Sequence, residues 1–325
     1  MVMALQSLPM NGTFAWYDLM TPDPAASKKF YTSVAGWGTQ PFDKQYEMWT
    51  ASGQPIGGIA PINAEQRAAG IPPHWLAYVN VDDVDASANK VRSLGGNVMH
   101  GPEDIPNVGR YAIIQDPQGA VLAIFRSSNQ MMGWDGTPSV GKITWHELMA
   151  VDGHRALEFY RQLFGWQLIE EADMGPAGKY LEYGKNGKMY GGIFNRRPEH
   201  GGMQPNWTFY INVRDLDKAV AATKKGGGAI VMGPMEVPGG DTVAIAKDPQ
   251  GAMFALHKSK SAGTPMLSAT DKPRKTAAKK KSAAKPRRQA VSRKTARKTA
   301  KKSGRKAAAR RAKPRPKAKK RSKRR

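Results

Sequence analysis

Apolar runs and helically spaced apolar positions alternate along the first 258 residues, and they do so in two rounds. Phe14–Leu19 and Ile143–Met149 read as strands. Each leads into a segment with helical periodicity; in the first round Ala26, Phe30 and Val34 fall on one face. Asp23 suits the cap of that helix and Pro24 its first position. Gly36 and Gly165 suit the helix ends, where a left-handed residue closes the last turn. Strands are predicted around Glu47–Thr50 and Tyr180–Tyr183, then strands carrying Gly-Gly pairs. A second unit opens with a strand over Trp75–Val81 and a helix over Asp85–Leu94. A Gly95–Gly96 stop follows, then strands near Val98 and over Tyr111–Gln115, a DPQG turn and a strand over Ala120–Phe125. The grammar is βαβββ, and the pattern predicts four such modules in an α+β protein.

The two rounds are an internal repeat. Trp16/Trp145, Leu19/Leu148, Phe30/Phe159, Tyr31/Tyr160, Gly36/Gly165 and Trp37/Trp166 share the single offset 129. IGGI at Ile56–Ile59 matches GGI at Gly191–Ile193. HWLAYVNVDDVDAS matches NWTFYINVRDLDKA, and DPQGA recurs at Asp116–Ala120 and Asp248–Ala252. Domains are therefore placed at residues 11–128 and 140–258, with a separate segment at 259–325.

Charge changes the picture only in that last segment. The chain has 51 Lys and Arg against 26 Asp and Glu, and residues 272–325 hold 28 of the basic residues and none of the acidic ones. Residues 1–271 are left with 23 basic and 26 acidic, so the folded part is slightly acidic. The tail is built of Lys, Arg, Ala, Ser, Thr and Pro and cannot bury enough apolar surface to offset its ordering entropy, which predicts disorder. Its Ala-Lys-Pro texture resembles the C-terminal tails of linker histones and of bacterial histone-like proteins. Lys279, Lys280, Lys281, Arg287, Arg288, Lys301, Lys302, Arg310, Arg311, Lys319, Lys320 and Arg321 are its densest cations. Clustered cations displace counterions from phosphates, so residues 272–325 are expected to bind nucleic acid, DNA before RNA, without sequence preference. A solubilising extension is the plain alternative. With no Cys, there are no disulfides or thiolate metal sites. No signal peptide or membrane span is read, which predicts a cytoplasmic protein associated with the nucleoid through its tail. Oligomeric state is not legible.

The FYxxxxGW helix, the VxDxD strand end, the GG-terminated helix and DPxG before the last strand resemble the vicinal oxygen chelate superfamily of glyoxalases, bleomycin-resistance proteins and extradiol dioxygenases. The resemblance implies two glyoxalase-like domains, each a cup of paired modules, with His, Gln or Glu metal ligands on particular strands. Carried onto this chain, those positions hold Trp16 and Trp145, Ala123 and Ala255, Leu76 or Trp75, and Thr208 or Trp207. None of these supplies the required donors, so no metal and no cofactor is expected. Strand alternation instead puts Trp16 with Asp18, and Trp145 with Glu147, on one face. Two readings stay open: packing where a metal would sit, or a small-molecule pocket with Asp18 and Glu147 as acid–base groups. Tyr78, Tyr210, His257 and Arg110 are further pocket candidates, with a surface ion pair the alternative for Arg110. His146 should face away from Trp145. The DPQG aspartates read as turn residues.

These features give three functional expectations. The first is a binder of a hydrophobic or aromatic small molecule, tethered to nucleic acid. The second is a metal-independent lyase, isomerase or hydroxylase-like enzyme. The third is a nucleoid-associated structural protein.

Overall fold

The structure is a computed structural model that describes residues 11–43, 46–128 and 139–260. The first repeat runs β1 (Phe14–Thr21), α1 (Pro24–Ala35), β2 (Gly38–Pro41), β3 (Glu47–Ala51), β4 (Gln54–Pro61), α2 (Ala64–Ala68), β5 (His74–Asn80), α3 (Val84–Ser93), β6 (Asn97–Ile105), β7 (Gly109–Gln115) and β8 (Val121–Ser127). The second runs β9 (Ile143–Ala150), α4 (Gly153–Phe164), β10 (Gln167–Asp173), β11 (Lys179–Lys185), β12 (Lys188–Asn195), β13 (Asn206–Asn212), α5 (Leu216–Lys225), β14 (Ala229–Glu236), β15 (Thr242–Lys247) and β16 (Met253–Lys258). Each repeat forms one eight-stranded sheet, in the orders β2-β3-β4-β1-β5-β8-β7-β6 and β10-β11-β12-β9-β13-β16-β15-β14. Two βαβββ modules therefore meet at the antiparallel pairs β1–β5 and β9–β13.

Local chemistry accounts for the helix limits. Asp23 accepts from the Ala26 amide, Pro24 opens α1, and Gly36 closes it at φ 70°. Asp152 and Gly165 do the same for α4. Asp83 caps α3, so that helix starts at Val84, one residue before the expected Asp85. The short α2 was not anticipated; its Asn63/Gln66 capping box stabilises a single turn too short to show periodicity.

The repeats lock together reciprocally. Tyr31 donates to Asp248 Oδ2 at 3.2 Å, and Tyr160 donates to Asp116 Oδ2 at 3.0 Å. Trp37 donates to the Gly141 carbonyl at 2.6 Å, and Trp166 to that of Gly12 at 2.7 Å. The FY and GW positions are thus hydrogen-bonded to the opposite repeat. The DPQG aspartates also hold their own turns, since Asp116 Oδ1 accepts from the amides of Gln118 and Ala120. On the repeat axis, Tyr17 and its counterpart His146 meet at 2.6 Å, and Phe14 stacks on the His146 ring. Burial pulls the His146 pKa down to about 3, so the imidazole is neutral.

Tyr160→Phe should cost about 2 kcal/mol, because it strands a buried acceptor at Asp116. Tyr111→Phe loses a bond to exposed Glu103 and should cost under ~0.5 kcal/mol. Urea melts of the two variants check this; equal losses would show that the inter-repeat bond carries no weight.

Candidate functional site

In each sheet the first strand presents a Trp and a carboxylate two residues apart on one face, and phenols converge on the carboxylate. In the first repeat, Asp18 Oδ1 accepts from Tyr46 at 2.5 Å and from Trp16 Nε1 at 3.0 Å, and Oδ2 accepts from Tyr78 at 2.8 Å. Trp16 Nε1 also lies 2.6 Å from the Tyr46 hydroxyl. In the second, Glu147 Oε1 accepts from Tyr180 and Oε2 from Tyr210, both at 2.7 Å. Trp145 Nε1 donates to Tyr180 at 3.0 Å. Burial raises the pKa of both carboxyls, and the phenolic bonds partly offset it. Burial and the neighbouring carboxylate raise the phenol pKa values too, so Tyr78, Tyr180 and Tyr210 remain protonated donors.

Two glycines make this geometry possible. Gly58 lies beside Asp18, and Gly192 beside Glu147. A Cβ at Gly58 would sit inside the Tyr46 hydroxyl, and one at Gly192 would overlap the Tyr180 ring. The Gly-Gly strand is therefore the floor over which each tyrosine reaches its carboxylate.

The second cup encloses a cavity of ~290 Å³, with Trp145, Glu147, Tyr180 and Tyr210 in its wall. Met149, Met174, Met203, Met232, Met235 and Met253 supply much of the remaining wall. Glu182 also lines the cavity. It is 7% exposed, and its Oε2 has no hydrogen-bond partner among the described residues. Burial, and then the carboxylate of Glu170 opposite on β10, push its pKa up to about 7.

The matched family profile is the Glyoxalase/Bleomycin resistance protein/Dioxygenase superfamily, over residues 13–124 and 142–256. The chain belongs to this superfamily. Relatives of this glyoxalase-superfamily chain include CFP32 of Mycobacterium tuberculosis, which carries the provisional name glyoxylase. It is 35% identical over 257 residues, covering 76% of this chain and 95% of CFP32. The anthracycline biosynthesis protein DauV of Streptomyces sp. is 29% identical over 259 residues, covering 75% and 92%. Among solved structures, the Mn(II)-bound glyoxalase of Novosphingobium aromaticivorans aligns with TM-score 0.57 at 17% identity, over 80% of this chain and 85% of that one. A homoprotocatechuate 2,3-dioxygenase variant from B. fuscum aligns with TM-score 0.56 at 13% identity, over 78% and 73%. At such identities the structures share the fold alone.

The superfamily implies a metal, and the residues present do not fit one. Register aligns Trp16, Tyr78 and Ala123 across three strands, and Trp145, Tyr210 and Ala255 in the other sheet. Indole and methyl groups supply no donor, and one phenol held protonated beside them does not make a ligand set for a divalent ion. Among the described residues no three His, Cys, Asp or Glu side chains converge.

Trp16, Asp18 and Tyr78 form one cluster; Trp145, Glu147 and Tyr210 form the other. His257 departs from the expected pocket position. It is buried between Asp241 Oδ2, at 2.8 Å, and Thr144 Oγ1, at 2.9 Å, and is not part of the cavity wall. The buried Asp241, just before β15, takes up the imidazole. Arg110 is held by Asp85 at 2.7 Å and Asp104 at 3.0 Å, which makes it a surface ion pair rather than a ligand cation. The cations named in the tail lie outside the described residues.

Tyr46, Tyr180 and Glu182 went unrecognised in the sequence. The signal was present in β11, where Leu181 and Tyr183 belong to the core and alternation turns Tyr180 and Glu182 to the cup.

Proposed function

We propose that the chain binds a small hydrophobic or aromatic molecule in its second cup without a metal, and that residues 272–325 tether it to nucleic acid. The observation that carries the pocket reading is the methionine- and aromatic-lined cavity over the Glu147–Tyr180–Tyr210 cluster. Methionine adapts to irregular apolar shapes, and the aromatic walls suit a flat ligand. Relatives named as a glyoxylase and as an anthracycline biosynthesis protein support small-molecule chemistry over a purely architectural role. Asp18 and Glu147 act here as acceptors that hold the phenols in place. All of their oxygens are engaged, which disfavours them as proton carriers.

Thermal-shift measurements with 1-naphthol should show a saturable rise in Tm, unchanged after EDTA treatment. The reading fails if no aromatic probe stabilises the protein. Metal independence fails if purified protein holds stoichiometric metal and its removal abolishes the shift.

A further inference from the structure

On the strand beside the Gly-Gly floor, the two repeats differ in charge at a matched position. Gly58 pairs with Met48 on β3, and Gly192 pairs with Glu182 on β11, so the first repeat has a thioether where the second has a carboxyl. In the second cup Glu147 has both oxygens occupied, whereas Glu182 Oε2 is buried without a donor among the described residues. A buried acceptor left unpaired is costly, and the group best able to satisfy it is a donor brought by the ligand.

Charge narrows the choice of donor. Glu170 stands directly across from Glu182 on β10, so a like charge lies beside the Glu182 carboxyl. Of the cations in the wall, Lys179 pairs with Asp173 at 3.1 Å, and Arg197 lies 3.1 Å from Glu199, an ion pair by distance in which its Nε makes no hydrogen bond among the described residues. Tyr180, Tyr210 and Trp145 place aromatic rings around the same space. An unpaired carboxylate, a like-charged neighbour and π-faces all favour a cation.

We propose that Glu182 is the polar anchor of the second cup, and that this cup takes an apolar, ring-containing molecule bearing a protonated amine, with the ammonium donating to the Glu182 carboxylate. The proposal rests on the second cup being the ligand pocket. The amine pairs with the ionised carboxyl, and Glu182 titrates close to neutrality. Amine affinity should therefore increase about tenfold from pH 6 to pH 8. Glu147, His200, Lys179 and Arg197 also line this cavity and Glu170 stands beside Glu182, so the pH profile is compared with that of a Glu182 variant.

Isothermal titration of the full chain uses three matched probes: 1-naphthylmethylamine, 1-naphthylmethanol and 1-naphthoate. The amine should bind tightest and the carboxylate weakest. Glu182→Gln should lower amine affinity about 10- to 100-fold, flatten its pH profile and leave the alcohol nearly unchanged. Unchanged alcohol binding also shows that the variant is folded. Glu170→Gln should cost far less than Glu182→Gln. If all three probes bind equally, the anchor is overturned and the pocket stands. If none binds, both fail. If Glu170→Gln costs as much as Glu182→Gln, the effect is a diffuse field and the anchor is overturned.

Discussion

Removing residues 261–325 should abolish duplex DNA binding at physiological salt and leave the folded repeats intact. The expectation follows from where the charge lies. Residues 272–325 carry 28 cations and no anion, and the rest of the chain is slightly acidic. The folded repeats therefore offer no net attraction to a polyanion, while the tail releases a counterion for each phosphate it neutralises. If about 6–10 phosphates are engaged at once, full-length affinity should fall roughly 10³- to 10⁵-fold between 50 and 200 mM salt. The tail has no aromatic residue to stack on single-stranded bases. Duplexes of unrelated sequence should accordingly bind alike, and a scrambled tail of the same composition should work as well as the native one. Gel shifts of full-length and truncated protein across a salt series decide the matter. Equal binding by both would end the tether, and a strong sequence preference would show that the reading element lies elsewhere. RNA and polyphosphate competitors show which polyanion the tail prefers.

The repeat made most of the fold readable. Matched blocks in the same order fixed two copies of one unit, and caps such as Asp23 and Gly36 placed the helix limits closely. What remained hidden was long-range pairing. No sequence pattern states that Tyr31 bonds to Asp248, 217 positions away, or that Tyr160 bonds to Asp116. The DPQG aspartates therefore read as turn residues alone. The site was half legible for a related reason. Asp18 and Glu147 stood out because each follows a repeated Trp at strand spacing. Tyr46 lies just before β3, where alternation gives no facing, and Glu182 has no acidic counterpart in the first repeat to draw attention to it. His257 went astray because face alternation along β16 is blind to a buried partner such as Asp241.

Glu182→Met, which installs the residue of the first repeat, should stabilise the protein by on the order of 3 kcal/mol at pH 8 and leave this contribution absent at pH 4. The folded-state pKa of Glu182 is raised from its ordinary 4.5 to about 7. Between these values the folded chain holds a proton that the unfolded chain has lost. Stability is therefore fully retained below pH 4.5, declines as pH rises through about 7, and is flat beyond. Burial raises Glu147 and Asp18 in the same direction, so they add declines of their own to both proteins. The informative quantity is the difference between variant and wild type in urea melts at pH 4 and pH 8. That difference should open as pH rises; parallel profiles would show that Glu182 is not held protonated by its surroundings. The same variant should lose the amine preference of the second cup. If both outcomes are found, Glu182 carries a cost to stability at neutral pH that its repeat partner Met48 does not, as expected of a buried carboxyl that serves binding rather than packing.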